Sequence, residues 1–150
     1  MRLSIAIVVI ALAACAPQKA PSQTPSAGAT TPTAAPTFAD QVARGQEVYG
    51  AHCGSCHGDA GEGTSGAPRV VGLAEGALPQ APRAGSQRTT EFVTVADVAG
   101  FAVATMPPNA PGSLPEADYW AVLAFDLHAN GIDLDAPLTA EAAQSLKIPR

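Results

Sequence analysis

Two cysteines and a histidine stand close together in the middle of the chain, in the run Cys53-Gly54-Ser55-Cys56-His57. The spacing is C-x-x-C-H, in which two thiols three positions apart can add to the two vinyl groups of one haem. A histidine directly after the second cysteine can then bind the iron as the proximal ligand. The run therefore predicts a covalently bound c-type haem held by Cys53, Cys56 and His57.

Two other interpretations of the C-x-x-C pattern are a dithiol redox motif and part of a zinc site. A dithiol motif is expected in a βαβ context, and no strand-rich stretch precedes Cys53. A structural zinc site needs four ligands, and His52 and His128 are the remaining candidates because Cys15 has another predicted role. Both alternatives fit the sequence less well than haem attachment.

Residues 1–14 have the features of an export signal, with Arg2 at the start and a mostly apolar run over 3–11. That run is too short for a membrane span, which needs about 20 apolar residues. The segment 12–15, Leu-Ala-Ala-Cys, resembles a bacterial lipobox, in which the signal is cut before a cysteine that then carries lipid. We predict a lipoprotein signal peptide and lipidation of Cys15; the alternative is an ordinary signal peptide in which this cysteine is incidental.

The segment 15–37 follows the signal and is rich in Pro, Ala, Ser and Thr, with Lys19 as its single charged residue. Such a composition cannot bury a core, so we predict a disordered tether. As a flexible coil, about 22 residues span about 25 Å. The remaining segment, 38–150, is long enough for one domain.

The chain is acidic, with 8 basic and 13 acidic residues and a formal net charge of −5. Loss of residues 1–14 would remove Arg2 and bring the formal charge near −6. An acidic surface argues against nucleic acid as a partner. It also argues against electrostatic binding to anionic lipid, so the predicted membrane contact is the lipid on Cys15.

The first helix of the domain is predicted over 38–52. Thr37 is a candidate N-cap and Asp40 lies in the first turn, where a negative charge suits the helix dipole. Gly45 and Tyr49 fall on one face of this helix. Because glycine is unfavourable inside a helix, we expect a second helix to approach closely at Gly45.

The stretch 58–68 follows the C-x-x-C-H run and contains four glycines. This composition predicts a loop that can lie tightly against a flat macrocycle. The loop ends at Pro68, whose carbonyl could accept a hydrogen bond from the outer ring nitrogen of His57 and so orient the ring. Further on, Thr94 is predicted to cap a short helix over 95–104.

The run Ser113-Leu114-Pro115-Glu116 has the spacing of a capping box, with proline in the first turn. It predicts the start of a final apolar helix that continues over 117–130, and Gly131 is well placed to end it. The apolar stripe of this helix includes either Phe125 or Asp126, since the periodicity does not separate them.

Met106 is the only methionine of the chain other than Met1, and it lies 49 residues after His57. Prolines 107 and 108 stop the preceding helix and stiffen the loop. A thioether on such a loop can reach the far side of the iron, which predicts Met106 as the distal axial ligand. The alternatives are that Met106 fills the core, or that one of the other two histidines binds the iron.

The chain contains, in order, a helix, the C-x-x-C-H run, a glycine-rich loop, a short helix, the Met-Pro pair and a final aromatic helix. This order resembles a class I cytochrome c in its bacterial lipoprotein form. The resemblance covers about 38–130. It implies an all-α, small class I cytochrome c fold, with helices packed around one covalently bound haem and preceded by the disordered tether. The matching positions are Gly45 and Tyr49 on the first helix, Val122 and Phe125 on the last, Pro68 behind the haem histidine, and Met106 as distal ligand.

The resemblance also implies an exported electron carrier, lipid-anchored and facing the periplasm or the cell exterior. It would move single electrons between redox protein partners of a respiratory or photosynthetic chain. The alternatives are a fixed haem subunit of a larger oxidoreductase complex and, with less support, a haem peroxidase or gas sensor. Since Lys19 and Lys147 are the only lysines, docking through a ring of lysines is not expected. Small apolar residues near the haem edge are the expected docking surface: Ala67, Pro107, Pro108, Ala110 and Pro111.

Overall fold

A computed structural model describes residues 35–86 and 88–150. Cys15, the predicted signal peptide and nearly all of the predicted tether lie outside these residues. The described part is helical, and its one β-type pairing is an isolated bridge between Thr94 and Lys147, which confirms the predicted all-α class. None of its helices has the length and apolar character to cross a membrane. The five helices are α1 (Phe38–His52), α2 (Gly54–His57), α3 (Val95–Thr105), α4 (Glu116–Ala129) and α5 (Ala140–Ser145).

Two of the helices begin with the caps that the sequence predicts. The Thr37 side chain accepts a hydrogen bond from the backbone N–H of Asp40, and the Asp40 carboxylate accepts one from the backbone N–H of Thr37. Thr94 and Asp97 form the same reciprocal pair at the start of α3. Each pair satisfies backbone donors that a helix start leaves without partners.

The predicted capping box at Ser113 is wrong. Pro115 is the N-cap of α4, with an extended backbone (ψ 145°), and no side chain caps this helix. The first bond of α4 runs from Asp118 N–H to the Pro115 carbonyl at 2.9 Å, so the helix starts too late for Ser113 to cap it. Gly131, with φ 77°, follows the end of the helix as predicted.

Helices α1 and α4 cross at Gly45. A Cβ atom at this position would lie 2.6 Å from the carbonyl carbon of Ala121 and 2.9 Å from Cβ of Phe125. One turn later, the Tyr49 ring packs on the Phe125 ring with centroids 5.1 Å apart. The expected close approach at Gly45 is therefore confirmed, and it fixes the end of α1 against α4.

The hydrophobic core lies between α1, α3, α4 and the chain around α5. Its larger buried members are Phe38, Phe92, Val95, Val98, Leu123, Leu127, Leu138 and Ile148. Leu73 and Leu78, from the long connection between α2 and α3, pack against this cluster. The core therefore holds the connecting segment as well as the helices.

A buried arginine, Arg88, organises part of that connection. Its guanidinium lies 3.8 Å from the centroid of the Phe92 ring. It donates hydrogen bonds to four backbone carbonyls, those of Pro79, Gln80, Ala81 and Thr90. These acceptors compensate the desolvation of the charge, so Arg88 fixes the path of a segment that has no regular secondary structure of its own.

Candidate haem-attachment site

The C-x-x-C-H run forms a helical turn directly after α1. The backbone N–H of Cys53 donates to the Tyr49 carbonyl at 2.8 Å, and the N–H of His57 donates to the Cys53 carbonyl at 2.9 Å. Residues three and four apart lie on the same face of such a turn, which places Cys53, Cys56 and His57 side by side. The crossing of α1 and α4 thus positions two thiols and one imidazole as a group.

The imidazole of His57 is oriented by the loop that follows it. Its Nδ1 lies 2.6 Å from the carbonyl oxygen of Pro68. Because a carbonyl can only accept, Nδ1 carries the proton and donates to it, which leaves Nε2 as the ring atom with a lone pair for a metal.

Further bonds hold this loop against the turn. The Thr64 hydroxyl donates to the Cys56 carbonyl at 2.6 Å, and Gly63 N–H donates to the His57 carbonyl at 2.7 Å. The buried Tyr49 hydroxyl donates to the Gly58 carbonyl at 2.9 Å. Tyr49 therefore contributes both to the helix crossing and to the start of the loop.

The environment of the cysteines argues against a dithiol redox site. Burial, and then the nearby Asp126 and Cys56, raise the pKa of Cys53 to about 11. A redox-active thiol needs a lowered pKa, because the thiolate is the nucleophile. Within residues 35–86 and 88–150, no three His, Cys, Asp or Glu side chains are grouped to hold a metal ion, so the described residues give no support to a zinc site.

Met106 lies at the C-terminal end of α3, where its backbone N–H donates to the Ala102 carbonyl at 2.8 Å. Its carbonyl accepts a 2.6 Å hydrogen bond from the hydroxyl of Tyr119, a buried residue of α4. The structure thus brings His57 and Pro68 together, and it fixes Met106 through a separate set of contacts with α4. This anchoring bond is not predicted by the sequence, because its only signal there is a hydroxyl group in an otherwise apolar stretch of α4.

The other two histidines are placed less favourably for iron binding. His52 is exposed at the end of α1. His128 is exposed on α4, and its Nδ1 lies 2.6 Å from the Asp133 carboxylate. Met106 stays the predicted distal ligand.

The residues present fit a covalently bound haem. Two adjacent thiols can form thioethers, and the Nδ1 of the His57 imidazole is occupied by the Pro68 carbonyl, which leaves Nε2 for iron. A cavity whose lining does not include these three residues is bordered mainly by leucine, valine and isoleucine side chains, together with two polar residues, Asp126 and Asn130.

The chain is similar to one protein family and to one solved structure. Residues 40–125 match the family described as cytochrome C oxidase, cbb3-type, subunit III. A chain in the crystal structure of the sulfane dehydrogenase SoxCD from Paracoccus pantotrophus is similar at 26% sequence identity and a TM-score of 0.55. The match covers 77% of this chain and 59% of that one, and no curated protein matches the sequence. The chain belongs to the cytochrome C oxidase, cbb3-type, subunit III family, and it is a class I cytochrome c.

Proposed function

We propose that this chain is a membrane-tethered cytochrome with one haem c, which moves single electrons between redox partners of a respiratory or photosynthetic chain. Cys53 and Cys56 would hold the haem covalently, and His57 and Met106 would bind its iron. When bound, the haem supplies a one-electron ferric–ferrous couple. The single observation that carries the proposal is the His57–Pro68 hydrogen bond, which presents Nε2 of a fixed ring beside two thiols.

The ligand set supports a carrier rather than an enzyme. With His57 and Met106 as its ligands, the iron would have no position left for a substrate. The hydrogen bond from Tyr119 restrains the backbone of Met106, so this thioether can be kept in place through repeated oxidation and reduction. A peroxidase or gas sensor would need an open or labile iron site.

A fixed subunit of a larger oxidoreductase is the second candidate. Two observations favour it: the family is described as a subunit of an oxidase, and the similar solved chain belongs to a sulfane dehydrogenase. Both candidates require contact with another redox protein. The predicted docking surface is mostly exposed at Pro108, Ala110 and Pro111, whereas Ala67 and Pro107 are half-buried. A small patch of this kind suits brief association.

The proposed function is tested on protein isolated from native membranes. We expect intact mass to show one haem per chain that resists extraction by acid–acetone, because both thiols of the motif are used. Reduction by one-electron donors should be fast and reversible, and carbon monoxide should not bind. If the protein is recovered by itself, the result favours the mobile carrier. If it is recovered in a complex, the result favours the fixed subunit. Extractable haem, or rapid binding of carbon monoxide, would contradict the proposal.

We expect Cys15→Ser to release the haem protein into the soluble periplasmic or external fraction, or to leave the signal uncleaved. Lipid on this cysteine would link an acidic domain to the membrane. A diacylglyceryl group provides more than one acyl chain, which stable anchoring requires. Fractionation and mass measurement of the mature N-terminus check the result. An unlipidated wild-type N-terminus at another position would contradict this prediction.

A further inference from the structure

Helix α4 carries a carboxyl group, Asp126, on its buried face. Asp126 is 9% exposed, and its Oδ1 is a buried atom without a hydrogen-bond partner among the described residues. Its helix neighbours Leu123 and Leu127 are part of the hydrophobic core. A buried carboxyl oxygen without a hydrogen-bond partner is unfavourable for folding, so its presence in an apolar run suggests a functional role.

The surroundings of Asp126 do not neutralise it. It borders a cavity that is otherwise lined mainly by apolar side chains, including Leu73, Val95 and Val98. The one other polar residue in the lining, Asn130, is already engaged: its Oδ1 accepts from Gly72 N–H at 2.8 Å, and its Nδ2 donates to backbone carbonyls. Burial raises the pKa of Asp126 to about 8, and no nearby cation opposes this effect.

The titratable groups that face Asp126 are those of the haem-attachment turn and the helix before it. Asp126 contributes to the raised pKa of the Cys53 thiol and to that of the Tyr49 phenol. From α3 and the C-terminal segment, the cavity receives only apolar side chains, among them Val98 and Ile148. The carboxyl therefore interacts electrostatically with Cys53, one of the two positions where the haem would be attached.

We propose that Asp126 takes up one proton when the haem attached at Cys53 and Cys56 gains an electron, and releases that proton when the electron leaves. The proposal rests on the proposed electron transfer and adds proton coupling to it. The electron comes from a one-electron donor protein and the proton comes from water. The O–H bond of the Asp126 carboxyl forms as an O–H bond of the solvent breaks, and the proton returns to the solvent on oxidation.

The physical reason is charge compensation in an apolar region. An added electron raises the free energy of a nearby carboxylate, and protonation removes that repulsion. The Coulomb interaction of two unit charges about 10 Å apart, at an effective dielectric constant of about 20, changes the protonation equilibrium constant of the carboxyl on the order of tenfold. Since burial raises the pKa of Asp126 to about 8, a shift of that size changes its protonation at pH values close to that pKa.

The test is the reduction potential of the purified holoprotein as a function of pH, measured with small-molecule mediators. We expect the potential to fall as pH rises between the two pKa values of Asp126 in the oxidised and reduced protein. Full coupling changes the equilibrium constant tenfold per pH unit, which corresponds to about 59 mV for one electron. Asp126→Asn, which keeps the shape of the side chain, should abolish this slope. Asp135→Asn, which removes an exposed carboxylate, should retain it.

A second measurement does not depend on the variant folding. The infrared difference spectrum between reduced and oxidised wild-type protein, with labelled aspartate, should show a protonated carboxyl group gained on reduction. A reversible couple whose potential does not depend on pH would overturn the proposal while leaving electron transfer intact. A pH slope that persists in folded Asp126→Asn would also overturn it, because other groups would then carry the proton. Failure of the proposed function would look different: no reversible one-electron couple would be found.

Discussion

The reduction potential of the haem is expected to fall by on the order of 100 mV or more when Met106 is replaced by alanine, since the identity of the axial ligand spreads haem potentials over about 0.8 V. A thioether favours the ferrous state. Its loss admits water, which favours the ferric state. The oxidised wild type should be low-spin, with a weak near-red band from the sulfur–iron bond that the variant lacks. Potentiometry and absorption spectra check both effects.

The same substitution is expected to open the iron to external ligands. Carbon monoxide should bind the reduced Met106→Ala protein quickly, and peroxidase-like turnover should rise from a slight wild-type level. Folding should be affected less, because Cys53, Cys56 and His57 would still hold the haem, and because the Tyr119 bond is made to the backbone carbonyl of Met106 and does not need the side chain.

Two control variants separate a ligand from core filler. Met106→Leu conserves volume, and such exchanges usually cost less than about 1.5 kcal/mol. If Met106 only fills space, leucine should leave the spectrum and potential unchanged; if it binds iron, leucine should act as alanine does. Val103→Ala truncates an exposed side chain on the same helix and should be silent. A wild type that already binds carbon monoxide, with spectra insensitive to Met106, would favour the enzyme or sensor interpretation.

The parts of the structure that the sequence predicted are those governed by local chemistry. The caps at Thr37 and Thr94 depend on residues three positions apart, and the structure contains both. The start of α4 was predicted wrongly because the same spacing at Ser113 competes with the extended backbone of Pro115. Spacing alone does not indicate which residue ends the extended segment and begins the helix.

The parts that could not be predicted depend on residues distant in the chain. Periodicity does not decide which of Phe125 and Asp126 faces the core. The carboxyl of Asp126 is buried because α1 and α3 pack against α4. The four carbonyls around Arg88 come from two loop segments that carry no pattern of their own. The C-x-x-C-H motif indicates haem chemistry, but the environment that tunes it is built from such non-local contacts.

Gly45→Ala is expected to lower the free energy of unfolding of the holoprotein by about 3 kcal/mol or more. Overpacking of a core usually costs about 1–3 kcal/mol, and here the new methyl group meets the backbone of Ala121, 2.6 Å from its carbonyl carbon, as well as Phe125. A backbone cannot move aside by rotating a side chain, so α1 and α4 must separate. The Tyr49–Phe125 contact at 5.1 Å would then loosen as well.

Gly50 provides the matched control because it lies on the same helix with nothing within 4 Å of its added Cβ. Gly50→Ala should raise stability by about 0.5–1 kcal/mol, since alanine is the better helix former. Denaturant unfolding followed by far-UV circular dichroism measures the free energy of unfolding of both variants. In thermal unfolding, the midpoint temperature of Gly45→Ala should fall by about 10 °C or more. Opposite signs for the two substitutions would show that the glycine at position 45 is required by the helix crossing. Equal and small effects would mean that α1 and α4 do not approach this closely in solution, and the position of the haem-attachment turn would then need another explanation.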